Sequence, residues 1–187
     1  MNDKTWGKIL LLEETKSQVA IVEREENLIF RTPTTDDGKE VWQLIKDTGV
    51  LDLNSSYSYL MWSKFFSETS VIAETNGQTV GFISGFIQPQ SPDTIFVWQV
   101  AVNASQRGKG LASRMLQSIL HSDVCRNILR LEATVGPSNE ASQALFRKLA
   151  RDLKTDCNVS NFFTENQFPE KGHEAELLFS IGPFHTG

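Results

Sequence analysis

Only two cysteines occur in 187 residues, Cys125 and Cys157, and they lack the spacing of a zinc site or a disulfide framework. Both are expected to be reduced thiols, with no metal bound. Basic residues are also scarce: 18 Lys and Arg stand against 23 Asp and Glu, a formal net charge of -5. Recognition of a phosphate backbone depends on clustered cations, so this balance speaks against a nucleic-acid partner and suits a cationic small molecule. Long apolar runs are missing as well. The one early cluster, Ile9 to Leu12, is too short for a signal-peptide core or a membrane span, and acidic residues follow it. The chain therefore reads as cytoplasmic, without a membrane partner. What is present is a 40% hydrophobic content over a length that suits one buried core.

Residues 1 to 27 have mixed charge and no sustained period, and are expected to form an extension outside the domain. The domain, 28 to 187, begins with strand-like Leu28 to Thr32. Thr35-Asp36-Asp37 then offers N-cap residues to a helix that Gly49 ends, and a second helix is expected around Tyr57 to Ser67. Val71 to Thr75 and Gln78 to Ile87 flank Asn76-Gly77, which tolerates the positive φ of a two-residue hairpin turn. Asp93 to Val102 is apolar on both faces, as in a central strand. Leu111, Met115, Leu116, Ile119 and Leu120 then form one helical stripe. Ile128 to Val135 alternates, with Leu129, Leu131, Ala133 and Val135 on one face and Arg130, Glu132 and Thr134 on the other. A helix starting near Asn139 and a closing hairpin, Phe162-Phe163 with Glu174 to Ile181, complete the pattern.

Chemistry concentrates between the buried strand and the helix after it. Arg107-Gly108-Lys109-Gly110-Leu111-Ala112 places glycines where the backbone must turn, just before a helix N-terminus whose free N–H groups favour an anion such as phosphate. A plain tight turn with two solvated cations would look the same. Dinucleotide binding is disfavoured, because the turn follows antiparallel-looking strands and no acidic ribose-binding strand end comes after it.

Arg107, Gly110 and Ala112 fit the phosphate-loop pattern of the GNAT N-acetyltransferases, which the chain resembles. That resemblance implies an α/β fold with a mixed, mostly antiparallel, splayed central sheet flanked by helices. It implies acetyl-CoA as cosubstrate, with the pantetheine arm along the backbone of Val100, Ala101 and Val102. The pyrophosphate would lie on Arg107, Gly108, Lys109, Gly110, Leu111 and Ala112, with a further contact at Asn139. Narrower blocks, Leu51-Asp52-Leu53-Asn54-Ser55-Ser56-Tyr57, Val80 to Gly85, Pro92 to Val102, Gly172 to Glu176 and Ile181 to Phe184, resemble the L-2,4-diaminobutyrate acetyltransferases of ectoine biosynthesis. That family acetylates the γ-amine of a short diamino acid and is expected to be homodimeric. One departure stands out: many GNAT enzymes carry a Tyr, thought to protonate the leaving thiolate, where this chain has Phe146.

The resemblance nominates Asp52, Tyr57, Trp98, Glu132, His173, Glu174 and Glu176 for the diamino acid, and Glu132 and Tyr57 for catalysis. Each has a plainer reading. Asp52 could cap a helix, Tyr57 could pack one, and Trp98 could fill the core. Glu132 could be a solvated charge, the C-terminal groups could be surface residues, and Asn139 could cap its helix. An amine with a pKa of about 10 is protonated at neutral pH, so the site must remove a proton before nitrogen attacks the thioester. Glu132 is the expected acceptor, and backbone N–H groups near Val100 are expected to hold the oxyanion. Transfer is expected to be direct, since neither cysteine falls in this region. Two other readings stay open: a GNAT enzyme for another amine, such as a polyamine, an aminoglycoside or a protein terminus, and a non-catalytic acyl-CoA-binding module.

Overall fold

The computed structural model describes residues 27–169 and 171–185. The proposed extension, apart from its last residue, lies outside them. The elements follow the expected order: β1 (Leu28–Arg31), α1 (Gly38–Thr48), α2 (Ser56–Phe65), β2 (Val71–Thr75), β3 (Gln78–Gln88), β4 (Ser91–Val102), α3 (Leu111–Leu120), β5 (Arg130–Val135), α4 (Glu140–Asp152), β6 (Cys157–Phe163) and β7 (Glu176–Ile181). Asn76 and Gly77 have φ values of 51° and 77°, the doubly positive pair that a tight β2–β3 hairpin requires.

The seven strands form one sheet in the order β1-β2-β3-β4-β5-β7-β6. Every neighbouring pair is antiparallel except β4 and β5. Parallel neighbours need a long crossover, and α3 provides it. The sheet is thus mixed, mostly antiparallel and flanked by helices, the expected α/β architecture.

Two apolar clusters lie on its two faces. The larger joins Ile83, Ile95 and Val97 to Met115, Leu116 and Leu120 of α3, Leu149 of α4, Leu131, Ala133 and Val135 of β5, and Phe179 and Ile181 of β7. The smaller joins Val41, Leu44 and Ile45 of α1 and Tyr59 of α2 to Ile72, Phe82 and Ala101. Alternation along β5 sends Glu132 and Thr134 to this second face, where both are only half-buried. Helix α1 packs on the second face over β3 and β4, and α2 beside it sets Trp62 against Trp98 and Phe86.

Arg31 ties the first strand to the first helix. Its Nη2 and Nη1 donate to Asp37 Oδ1 and Oδ2 at 2.7 and 2.9 Å, and its Nε donates to Glu74 on β2 at 3.0 Å. Asp37 stands at the N-cap of α1, as expected, but its side chain reaches back to accept from Thr34 N and Oγ1 at 2.6 and 2.9 Å, completing a capping box in the short turn before α1. The Arg31 guanidinium holds the Asp37 carboxyl below its ordinary range, against the opposing effect of burial. A depressed acid pKa adds stability that is present above the unfolded value and lost as pH falls through the folded one. Arg31→Met is therefore expected to lower unfolding stability by about 2 kcal/mol at pH 7. The gap from wild type should narrow below about pH 4. Urea melts at pH 7 and pH 3 measure both; an equal loss at the two pH values would place the effect in packing.

Candidate active site

The pairing of β4 with β5 runs from Thr94 and Arg130 to Val97 and Ala133 and stops there, although β4 continues to Val102 and β5 to Val135. The two strands fork. On its other edge β4 is bulged: Ser84 faces Gln99 while the next residue, Gly85, faces Val97, which makes Trp98 the extra residue. Val97 and Val100 pack with the first apolar cluster, so Trp98 and Gln99 between them both turn to the second face. There Trp98 stacks on Trp62 of α2 with ring centroids 4.8 Å apart, and Gln99 bonds the carbonyl of Asp52.

Beneath the fork lies a cleft of about 910 Å³. Val100 and Val102 form one wall, Arg107, Gly108, Gly110, Leu111 and Ala112 the floor, and Ser138 to Ser142 with Leu145 and Lys148 of α4 the other wall. Thr48, Val50 and Leu51 reach it from the segment joining α1 to α2. Gly108 and Gly110 have φ values of 75° and 76°, and Gly110 is the N-cap of α3. Side chains other than glycine resist that backbone conformation, and a Cβ at either position would meet no atom of the described residues within 4 Å, so the turn opens the helix N-terminus to the cleft. Arg107 is drawn back by its Nε bond to Val102 O at 3.3 Å. Lys109 and Ala101 do not line the cleft; the Ala101 methyl belongs to the second core. Asn139 does line it, and its side chain also accepts from Ser142 N at 3.0 Å, so capping and a place at the cleft coincide.

Across the fork, on the second face, carboxylates gather. Glu132 sits on β5 opposite Phe96 and Ser180. Gln88 Nε2 donates to its Oε2 at 2.7 Å and Ser180 Oγ to its Oε1 at 3.2 Å, so it is held in place and is no freely solvated charge. Glu176 begins β7, where burial pushes its carboxyl above the ordinary range while a bond from Thr134 and the nearby His173 pull it down. His173 Nε2 lies 3.9 Å from Asp52 Oδ2, its Nδ1 donates to Glu174 O at 2.7 Å, and its ring stacks on Phe168 at 3.6 Å. Asp52 is not a cap, because Ser55 takes that place on α2 by accepting from Ser58 N. Its side chain is 91% exposed, open to a ligand.

Glu174 points elsewhere. Its Oε2 accepts from Ser138 N and Oγ at 3.1 and 2.9 Å, fastening the C-terminal loop to the turn before α4. Tyr57 is 67% exposed on α2, and Phe146 is buried against Phe179 in the first core. Among the described residues, no group of three or more His, Cys, Asp or Glu side chains is arranged to hold a metal ion, and no helix is long and apolar enough to cross a membrane.

Residues 38–150 match the model of the acetyltransferase (GNAT) family. The chain belongs to that family. It is 60% identical over 170 residues to L-2,4-diaminobutyric acid acetyltransferase of Sporosarcina pasteurii, covering 90% of this chain and 94% of that protein. The enzyme of the same name from Marinococcus halophilus is 56% identical over 159 residues, 85% of this chain and 92% of the relative. Among solved structures, diaminobutyrate acetyltransferase EctA from Paenibacillus lautus, in complex with L-2,4-diaminobutyric acid and coenzyme A, aligns with a TM-score of 0.83 at 43% identity. That alignment covers 87% of this chain and 98% of that one.

For this GNAT chain the glycine turn is the expected phosphate cradle, and residues with no assigned role in the sequence pattern supply much of the rest. Gln88 and Ser180 hold Glu132, Thr134 holds Glu176, Gln99 holds the Asp52 segment and Ser138 holds Glu174. Gln99 lies within the Pro92 to Val102 block, but nothing in the block marks its partner, and strand alternation put Thr134 on the correct face. A test of the cradle follows from Gly110. Gly110→Asp adds a strained φ and a negative charge at the N-terminus of α3, so CoA affinity should fall at least tenfold. Circular dichroism should keep its native form. Equal binding by calorimetry would move the phosphates off this turn.

Proposed function

We propose that this chain transfers the acetyl group of acetyl-CoA to the γ-amine of L-2,4-diaminobutyrate, giving N4-acetyl-L-2,4-diaminobutyrate for ectoine formation. The observation that carries the reading is the fork: it joins a phosphate-accepting cleft on one side to a carboxylate-lined, aromatic-walled recess on the other. The 60% identity to a named diaminobutyric acid acetyltransferase supports the same substrate.

The chemistry follows from which groups face the fork. The pantetheine arm lies along the unpaired edge of β4 at Val100, Ala101 and Val102, and carries the thioester to the point where β4 and β5 part. Backbone N–H groups there stabilise the oxyanion in a dry, fixed geometry. Asp52, Glu176 and His173 bind the amino-acid end, Asp52 through an ammonium group, and Trp98 walls the recess with Trp62 behind it. Glu132 accepts the proton of the γ-ammonium, directly or through one water, while Gln88 and Ser180 fix its direction. The freed nitrogen attacks the thioester carbon, and the tetrahedral intermediate collapses with loss of the CoA thiolate. Tyr57 is the proposed proton donor to that thiolate. Cys125 is fully buried and burial raises its thiol pKa, which suits direct transfer rather than an acyl-enzyme.

The reading extends to a cytoplasmic homodimer. Strand β6 is an edge strand, paired only with β7, and Val159, Phe162 and Phe163 on it are solvent-exposed in the single chain. Edge strands of this kind are usually covered.

Two variants test the assignment of roles. Asp52→Asn should raise the KM for diaminobutyrate by roughly tenfold or more with little change in that for acetyl-CoA, because it removes charge and keeps shape. An unchanged diaminobutyrate KM would take Asp52 out of the site. Glu132→Gln should lower kcat roughly a hundredfold at neutral pH, with partial recovery in alkali where free amine is plentiful. If KM rose and kcat held, Glu132 would be a binding group and the proton acceptor would lie elsewhere.

A further inference from the structure

Gln99 is an amide buried to 6% exposure on the second face of the sheet. The β-bulge at Trp98 turns it there, beside Ala101 of the second core. Its Nε2 donates to the carbonyl of Asp52 at 2.9 Å, and its Oε1 has no protein partner among the described residues. Ser84, directly across the strand pair, has a buried Oγ in the same condition. A polar side chain with half its bonding capacity unused in protein contributes little to stability, and an apolar residue of the same shape would serve the fold as well.

The other ties in the segment are longer: Asn54 Nδ2 reaches the same Asp52 carbonyl at 3.4 Å, Asn54 N donates to Tyr59 Oη at 3.2 Å and Leu51 N to Thr48 Oγ1 at 3.4 Å, while the Leu51 side chain packs against the second core. The Asp52 carboxylate itself is solvent-exposed, 3.9 Å from His173 Nε2, and the orientation of its peptide sets the point from which it reaches out. Gln99 grips that peptide.

We propose that Gln99 is a positioning residue for the substrate: its buried amide clamps the Asp52 peptide to β4 and thereby aims the Asp52 carboxylate at the ammonium group of the diamino acid. This rests on the diaminobutyrate reading given above. The bulge that places Trp98 in the recess places Gln99 behind Asp52, so wall and clamp share one backbone irregularity. Gln99 touches no reacting atom and acts through Asp52.

Gln99→Met keeps the volume and removes the donor. The KM for diaminobutyrate should rise about five- to tenfold, the loss of one hydrogen bond's worth of aim, while kcat and the KM for acetyl-CoA stay within about twofold. Thermal stability should be held or raised, and hydrogen exchange should quicken over residues 50–56 and nowhere in β3 to β5. Added to Asp52→Asn, the substitution should cost less than a further twofold, since the carboxylate it aims is already gone. Equal losses toward both substrates, full additivity with Asp52→Asn, or unchanged exchange over 50–56 would overturn the proposal. Should the methionine variant not fold, Gln99→Glu preserves the shape and donates only when protonated. Its excess exchange over 50–56 should be present at high pH and fade at low pH, after correction for intrinsic rates; excess that does not depend on pH would overturn the clamp. If the wild-type protein fails to acetylate diaminobutyrate, the functional reading falls, and exchange over 50–56 still decides whether Gln99 holds the segment.

Discussion

Four consecutive residue pairs join β4 to β5, and then hydrogen bonding between them ends while both strands go on. Everything functional hangs on that interruption. A continuous ladder would leave no unpaired backbone edge for a pantetheine arm, no gap through which a thioester could meet an amine from the opposite face, and no opening of the sheet core. The cost of unpaired backbone groups is normally prohibitive in a buried sheet. It is tolerated here because the edge borders a cleft of about 910 Å³ rather than packed side chains.

The fork also separates the charges of the two ligands. On one side the glycine turn bares the positive end of α3, with Arg107 beside it, to a polyanion. On the other side Asp52, Glu132 and Glu176 are the groups proposed to meet the ammonium groups. A net charge of -5 is therefore not a uniform property of the surface. Burial raises the Glu176 carboxyl, and a bound ammonium would return it to the ionised form, so substrate and pocket complete one another electrostatically.

The architecture was legible because its signals are local and periodic. Alternation along Leu129 to Val135 assigned both faces of β5, the Asn-Gly pair fixed the β2–β3 hairpin, and the stripe from Leu111 to Leu120 fixed α3. The glycine turn before α3 was legible for the same reason, since its glycines, its cations and the following helix are contiguous. The second recess is different. Asp52, Trp98, Glu132 and Glu176 come from four elements, and only the likeness to a family drew them together. The sequence could not show that the Asp37 carboxylate at the N-cap of α1 would also hold Arg31, that Glu174 would serve Ser138, or that a bulge would bring Gln99 under Asp52. Those are long-range pairings or backbone irregularities, and no pattern within one element encodes them.

Phe146 lends the reaction an asymmetry. Its ring is spent on packing against Phe179 in the core, so the usual phenol of a GNAT enzyme is missing at that position. A thiol ionises near about 8.5, whereas an alkyl ammonium ionises near about 10.4. The departing sulfur can therefore carry its charge into water at modest expense, while the entering nitrogen is useless until its proton has gone. A chain built this way can leave the departing sulfur to an exposed donor, the role proposed for Tyr57, more cheaply than it can forgo assistance to the nucleophile. Its demands fall on the acidic face of the fork, and the hydroxyl that the core displaced is the partner the chemistry could best spare.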